Sequence, residues 1–239
     1  MNKFSMAYNN HHNKKTNDEK SEHHFSYVIK NKPINTITSL CLALLPYGQE
    51  ILLKKNKCYR LNEEKEGVGI ILVINGLVAA IDSHSGIYTH TLYPPTIVGL
   101  IHGLRAFNEM SGPMKNILIA ETDATLVFVP LQVFIDKVDN DNLWHDVAKI
   151  LAHRLMAMKS KEREFLSTDA YRIIKTLIQE VWFYPEEYRK HINLPHFILK
   201  HSGLSRSRIM KILRGLKEGG YIDIVHGKLI SVNKLPSSY

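Results

Sequence analysis

Six residues near the end of the chain have the types and spacing to do chemistry: Ser205, Arg206, Ser207, Arg208, Lys211 and Arg214. Their groups recognise a ligand; they do not break bonds. An arginine fork matches guanine O6 and N7, a lysine neutralises phosphate as a point charge, and serine hydroxyls both donate and accept. Elsewhere the 239 residues contain no Ser/His/Asp set, paired acid dyad, phosphate loop or HExxH motif, so no enzyme is expected.

Such side chains must stand on a rigid element, and the local sequence supplies one. Asn193 can cap a first short helix, with Pro195 tolerated in its first turn and Leu194, Phe197 and Ile198 on its apolar face. Gly203 permits a sharp turn, and Ser205 is placed to cap the next helix. Leu204 and Ile209 form a hydrophobic staple around that cap. Ile209, Ile212, Leu213 and Leu216 make one apolar face, leaving Arg206, Ser207, Lys211 and Arg214 for the others. Gly219-Gly220 ends the helix, and YIDIV and KLISV follow as two strands joined by His226-Gly227, with Lys228 placed to reach a phosphate. This is a winged helix-turn-helix, the geometry that reads a major groove of double-stranded DNA. From Pro185 onward ten basic residues face four acidic ones, so most of the +8 formal charge lies here. The competing reading is a winged helix that binds another regulator and never meets DNA.

The elements ahead of it fall into segments. Residues 1–33 are rich in Asn, Lys, His and Ser, and they read as a disordered tail whose His11-His12 and His23-His24 pairs lack a scaffold for metal. Residues 34–138 read as a β-roll behind a short helix, with Ile37, Leu40, Cys41, Leu44 and Leu45 at helical spacing up to Pro46. Seven short β-rich runs follow between Ile51 and Val129, with Asn75-Gly76 as a hairpin signal and Ser85-Gly86 as a second turn. One helical turn is expected within 99–110. The acidic cluster Asp139–Asp141 suits the start of a long helix over 139–166. Along it Trp144, Ala148, Leu151, Leu155, Met158 and Phe165 step by fours and threes, the seam of a homodimer interface. Residues 167–239 complete the DNA-binding domain. The fold class is α+β.

Cys41 and Cys58 have no CxxC spacing, and Cys41 reads as a buried small hydrophobe; whether either senses redox state stays open. No signal-peptide run and no apolar stretch of membrane-spanning length occurs, so no membrane partner and a cytoplasmic location are expected.

The order of parts, and the stretches INGLVAAIDSHSGIYTHTLYPPTIVGL, ILIAETDATLVFVPLQVF and GLSRSRIMKILRGLKEGGYI, resemble the CRP/FNR superfamily of bacterial transcription regulators. Within it the chain looks most like an enterobacterial branch acting on hydrogen peroxide resistance. The resemblance implies a cyclic-nucleotide-binding-like roll, a dimer and RNA polymerase as a further partner. It places Ser205 on a phosphate and Arg206 on a guanine. The family's next reader, a glutamate, is Ser207 here, and its last arginine is Lys211. The phosphate cassette departs further. Its Gly-Glu pair is Gly99-Leu100, and its Arg-Ser pair falls at Met114-Lys115, so no cyclic nucleotide is expected. What fills the roll stays open between an apolar core, a small apolar ligand and a haem held by His84, His90 or His102. A lone histidine in a strand or loop is more often structural.

Overall fold

The computed structural model describes residues 28–61, 67–82, 86–110, 116–165 and 169–238. Helix α1 (Ile34–Leu44) is followed by β1 (Gln49–Leu53), β2 (Cys58–Arg60), β3 (Gly69–Asn75), β4 (Val78–Asp82), β5 (Tyr88–Leu92) and β6 (Thr96–Val98). Then come α2 (Leu100–Phe107), β7 (Asn116–Ala120) and β8 (Ala124–Pro130). The strands form two four-stranded antiparallel sheets, ordered β1-β8-β3-β6 and β2-β7-β4-β5.

Alternation along the strands decides which side chains meet. Ile71, Val73, Leu126 and Phe128 of the first sheet face Val78, Ala80, Leu118 and Ala120 of the second, and together they fill the roll. Ile70, Leu72, Val127 and Val129 point the other way, onto Ile37, Leu40 and Leu44 of α1 and onto the following helices. Strand β3 is therefore covered on both faces, which explains its unbroken apolar run.

Asn75-Gly76 is not a hairpin, contrary to its sequence signal. β3 and β4 lie in different sheets, and the turn is a corner between them. Gly76 has φ +82°, and a Cβ there would lie 2.3 Å from the Asp123 carbonyl. The β7–β8 connection turns the same corner, with Leu77 N–H donating to Thr122 Oγ1 (2.8 Å) and Glu121 N–H to the Leu77 carbonyl (2.8 Å). An Asn-Gly pair specifies the positive φ; it does not specify whether the chain stays in one sheet. The hairpin that does form joins β4 to β5, where Gly86 (φ +68°) donates to the Asp82 carbonyl; Ser85 and His84 lie outside the described residues.

Other boundaries move for local reasons. Leu45–Tyr47 continues α1 as a 3₁₀ turn through Pro46, and Leu45 is exposed. Helix α2 has two turns, not one. β6, unread in the sequence, is three residues long and pairs with Ile71–Val73. Residues 28–33 carry anchors despite their polar composition. Val28 is buried, its carbonyl lies 2.8 Å from His153 Nε2, and Lys32 donates to the Tyr93 carbonyl (2.9 Å).

Helix α3 (Leu131–Asn140) contains Asp139 and runs into Asp141, so the acidic cluster closes α3 and does not open the long helix. Lys137 bridges Asp141 at 2.7 Å, and Trp144 Nε1 donates to Asp139 at 2.6 Å across the turn. The long helix α4 is Trp144–Phe165. After it come α5 (Ala170–Trp182), α6 (Glu186–Arg189), α7 (Leu194–Ser202), α8 (Arg206–Glu218), β9 (Ile222–Val225) and β10 (Lys228–Val232). Their shared core runs through Ile174, Leu177, Ile198, Ile209, Leu213 and Leu229, and it takes in Leu77 and Tyr93 from the roll. Among the described residues no helix is long and apolar enough to cross a membrane.

Candidate nucleic-acid interface

Asn193 caps α7 by accepting from His196 N–H (3.2 Å), and Gly203 (φ +66°) makes the turn out of it. Ser205 Oγ then accepts from Arg208 N–H at the start of α8. Leu204 and Ile209 belong to one apolar cluster, as a staple requires. With Ile209, Ile212, Leu213 and Leu216 buried, α8 has only one way to sit, and Arg206, Ser207, Arg208, Lys211 and Arg214 are all exposed. Arg206 shares a groove with Asn193, Pro195, His196 and Met210 between the two helices. Ser205 Oγ lies 3.3 Å from Ser207 Oγ, and either hydroxyl can donate to the other.

The wing forms as a two-residue hairpin. His226 (φ +49°) and Gly227 (φ +78°) both take the left-handed region that a type I′ turn needs. Its tip folds against α7: Leu194 N–H donates to the Gly227 carbonyl (2.8 Å), and a Cβ on Gly227 would lie 2.2 Å from Asn193 Nδ2. Lys228 is consequently half-buried, and burial, then the Lys55 ammonium, pull its pKa down.

Residues 170–237 match the winged helix-turn-helix DNA binding family. The chain is 24% identical over 208 residues to the inhibitor of hydrogen peroxide resistance of Escherichia coli K12, covering 87% of this chain and 98% of that one. It superposes on the c-di-GMP-responsive global regulator of Xanthomonas campestris with a TM-score of 0.63 at 15% identity, over 82% of this chain and 100% of that one. A CRP/FNR-family regulator from Eubacterium rectale gives 0.56 at 18%, over 82% and 90%. The fold is that of the CRP/FNR regulators.

Of the expected phosphate-cassette positions, Gly99 and Leu100 fall among the described residues. Gly99 takes φ +91°, and Leu100 is wholly buried with Ile97 and Val129. Met114 and Lys115 lie outside the described residues. Of the alternative haem ligands, His90 and His102 fall among the described residues, and His84 does not. His90 lies beside Lys161 and Glu180 at the edge of the roll, while His102 is on α2 with its Nε2 buried. Among the described residues no three His, Cys, Asp or Glu side chains cluster for a metal. Cys41 is a buried free thiol, pushed up to about 11 by burial; Cys58 is an exposed one.

On α4, Val147 and Ile150 pack on the roll. Trp144, Ala148, Leu155 and Met158 are exposed, so four of the six seam residues share an open side, while Leu151 is half-buried against the roll cluster. Phe165 leaves the seam and packs on the core of the winged helix.

Sequence reasoning missed a polar junction between the roll and the winged helix. Lys161 of α4 pairs with Glu180 of α5 at 2.9 Å. The Tyr184 hydroxyl stands 3.0 Å from Glu180 Oε1 and 3.1 Å from the Thr91 carbonyl of β5. His201 of α7 places Nδ1 2.9 Å from the Phe197 carbonyl and Nε2 3.4 Å from Thr91 Oγ1. Burial pushes the His201 and His90 imidazoles down to about 4. Burial opposes charge on Glu180, but Lys161 and His201 outweigh it and hold the carboxyl below its usual range. The signal lay in spacing: Ile173, Leu177, Glu180 and Tyr184 share one helical stripe, as do Leu194, Phe197 and His201. A carboxylate on an apolar stripe needs a partner.

Proposed function

We propose that the protein is a sequence-specific transcription regulator that binds double-stranded DNA as a homodimer. The observation that carries this is the exposed N-terminal half of α8: a capped, apolar-anchored helix presenting Arg206, Ser207 and Lys211 beside a wing. Arg206 reads a guanine, Ser207 and Lys211 read neighbouring positions, and Ser205 holds a phosphate with the helix dipole behind it. Lys211 lacks the planar fork of the family arginine, so the site read differs from the usual family site. The open seam of Trp144, Ala148, Leu155 and Met158, with Leu151 at its edge against the roll, pairs with its own copy, which gives the protein two-fold symmetry and the site two half-sites about one helical turn apart.

Leu100 cannot accept from a ribose, so control by cyclic nucleotide is not part of this reading. The name of the Escherichia coli relative directs the proposal toward peroxide resistance. A regulator of this kind works in the cytoplasm, with RNA polymerase as the machinery it influences. The test is selection of genomic fragments by the purified protein at moderate salt, with and without peroxide. A two-fold symmetric site recovered in either condition supports the reading. A folded dimer that retains no fragment overturns it in favour of a module that acts on another protein.

A further inference from the structure

The groove between α7 and α8 has two kinds of lining. Pro195 and Leu199 of α7 and Ile209 and Met210 of α8 are apolar, while His196 and Arg206 are basic. Ile209 is buried in the core and forms the floor. Leu199 and Met210 are 36% and 41% exposed, one from each helix. The remaining lining residue, Asn193, uses its side-chain oxygen to cap α7.

No carboxylate lines the groove. Among the described residues none is paired with Arg206, so its planar fork is open. Burial, then Lys200 and Arg206, lower the His196 pKa, which places the imidazole near the Arg206 guanidinium. The basic side therefore asks for an anion, and the apolar side asks for hydrocarbon. A guanine edge or a phosphate satisfies Arg206 and leaves Leu199 and Met210 bare, and a thymine methyl is too small to cover both. A carboxylate with an aliphatic body satisfies both sides: the fork takes the carboxylate in two parallel bonds, and the chain buries apolar surface. The apolar lining is aliphatic and thioether with no aromatic ring, a surface that adapts to an alkyl chain. The groove's volume of about 290 Å³ lies at the small end of ligand sites, which suits a chain of medium length.

We propose that the groove between α7 and α8 binds a medium-chain aliphatic carboxylate, with its head on Arg206 and its chain on Leu199 and Met210, and that the bound molecule withdraws Arg206 from DNA. The first half stands on the groove alone; the second rests on the DNA-binding reading. A carboxylate and a guanine edge use the same guanidinium donors, so the two exclude each other.

The experiment titrates sodium octanoate into the full chain carrying carbon-13 at its methionine methyls, with sodium acetate at equal concentration as the ionic control. The Met210 methyl resonance, assigned with Met210→Leu, is expected to shift and saturate with a dissociation constant on the order of 1 mM, as for a ligand of about ten non-hydrogen atoms. Octanol lacks the carboxylate and should bind about three-fold more weakly or worse, and Arg206→Gln should weaken octanoate by a similar factor. The absence of a saturating Met210 shift overturns the site. So does an octanoate affinity that octanol or Arg206→Gln matches. Equal shifts at the exposed Met110 and Met158 overturn it too, because the chain is then adsorbing to any apolar surface. A Met210 methyl that moves with DNA and not with octanoate gives the groove to a base, and the site falls. On a genomic fragment that the protein retains, octanoate at ten times its dissociation constant should lower DNA affinity about ten-fold. A filled groove that leaves DNA affinity unchanged overturns the exclusion. A parent that retains no fragment while its Met210 shift persists fails the DNA-binding reading alone.

Discussion

Ser205 and Arg206 are neighbours at one helix start, yet they hold different things in place. Ser205 Oγ satisfies a backbone N–H of α8, so Ser205→Ala should lower folding stability by about 1 kcal/mol, read as a shift in urea midpoint. Arg206 is exposed and caps nothing, so Arg206→Ala should leave that midpoint within about 0.5 kcal/mol of the parent. Its effect belongs to DNA: a loss of roughly 1–3 kcal/mol on the best site and relaxed preference at one base pair. Parent-like affinity and preference in this variant would refute α8 as the reader. Ser205, Arg206 and their spacing were legible in the sequence because cap, staple and apolar face are local rules within one helix. Lys228 was not. Its pKa is lowered by burial and then by Lys55, a roll residue more than a hundred and fifty positions away, and no local rule carries that proximity.

At the scale of the element, α4 shows what period can and cannot specify. Its apolar residues occupy more than one side, and period alone does not say which side meets the roll. Docking then assigns them: Val147 and Ile150 go to the roll, and Trp144, Ala148, Leu155 and Met158 stay open. Leu155→Glu/Met158→Glu places charges on the open side without touching the roll core. The expected outcome is a folded chain whose sedimentation mass falls from dimer to monomer; an unchanged mass would remove α4 from the interface. The wing yields an opposite kind of prediction. Gly227→Ala forces a Cβ into both a positive φ and Asn193, so the wing should loosen. Amide exchange across β9 and β10 should rise, while the roll strands keep their protection. Corners behave differently from wings. Asn75-Gly76 has the same local chemistry as a hairpin, and only the pairing of β3 with β8 and of β4 with β7 makes it a passage between sheets. Where a structure depends on non-local pairing, the sequence shows the turn and hides its destination.

For the whole molecule, the roll and winged helix are one docked body because a polar junction joins them, and its titration should govern acid stability. His201 is 2% exposed, and its neutral ring donates from Nδ1 to the Phe197 carbonyl while Nε2 faces Thr91. Burial first, then Lys161 and Lys200, resist its protonation, and Glu180 favours it. The folded pKa of about 4 lies below the unfolded value of about 6.5. Between these values the unfolded chain binds a proton that the folded chain refuses, so stability falls as pH drops through that window. His90, also near 4, acts in the same direction. Each contributes a loss of roughly 2 kcal/mol between pH 7 and pH 5. Glu180 adds its own loss only at lower pH. Its depressed carboxyl stabilises the fold above the ordinary carboxylate range, and that contribution disappears as pH falls through the folded value. Urea midpoints measured at pH 7 and pH 5 separate these windows. His201→Gln removes one titrating group, so its own share, roughly 2 kcal/mol of the pH 7 to pH 5 loss, should vanish, whatever the variant costs at pH 7. A pH slope identical to the parent's would mean that the buried imidazole at this junction does not control the docked state.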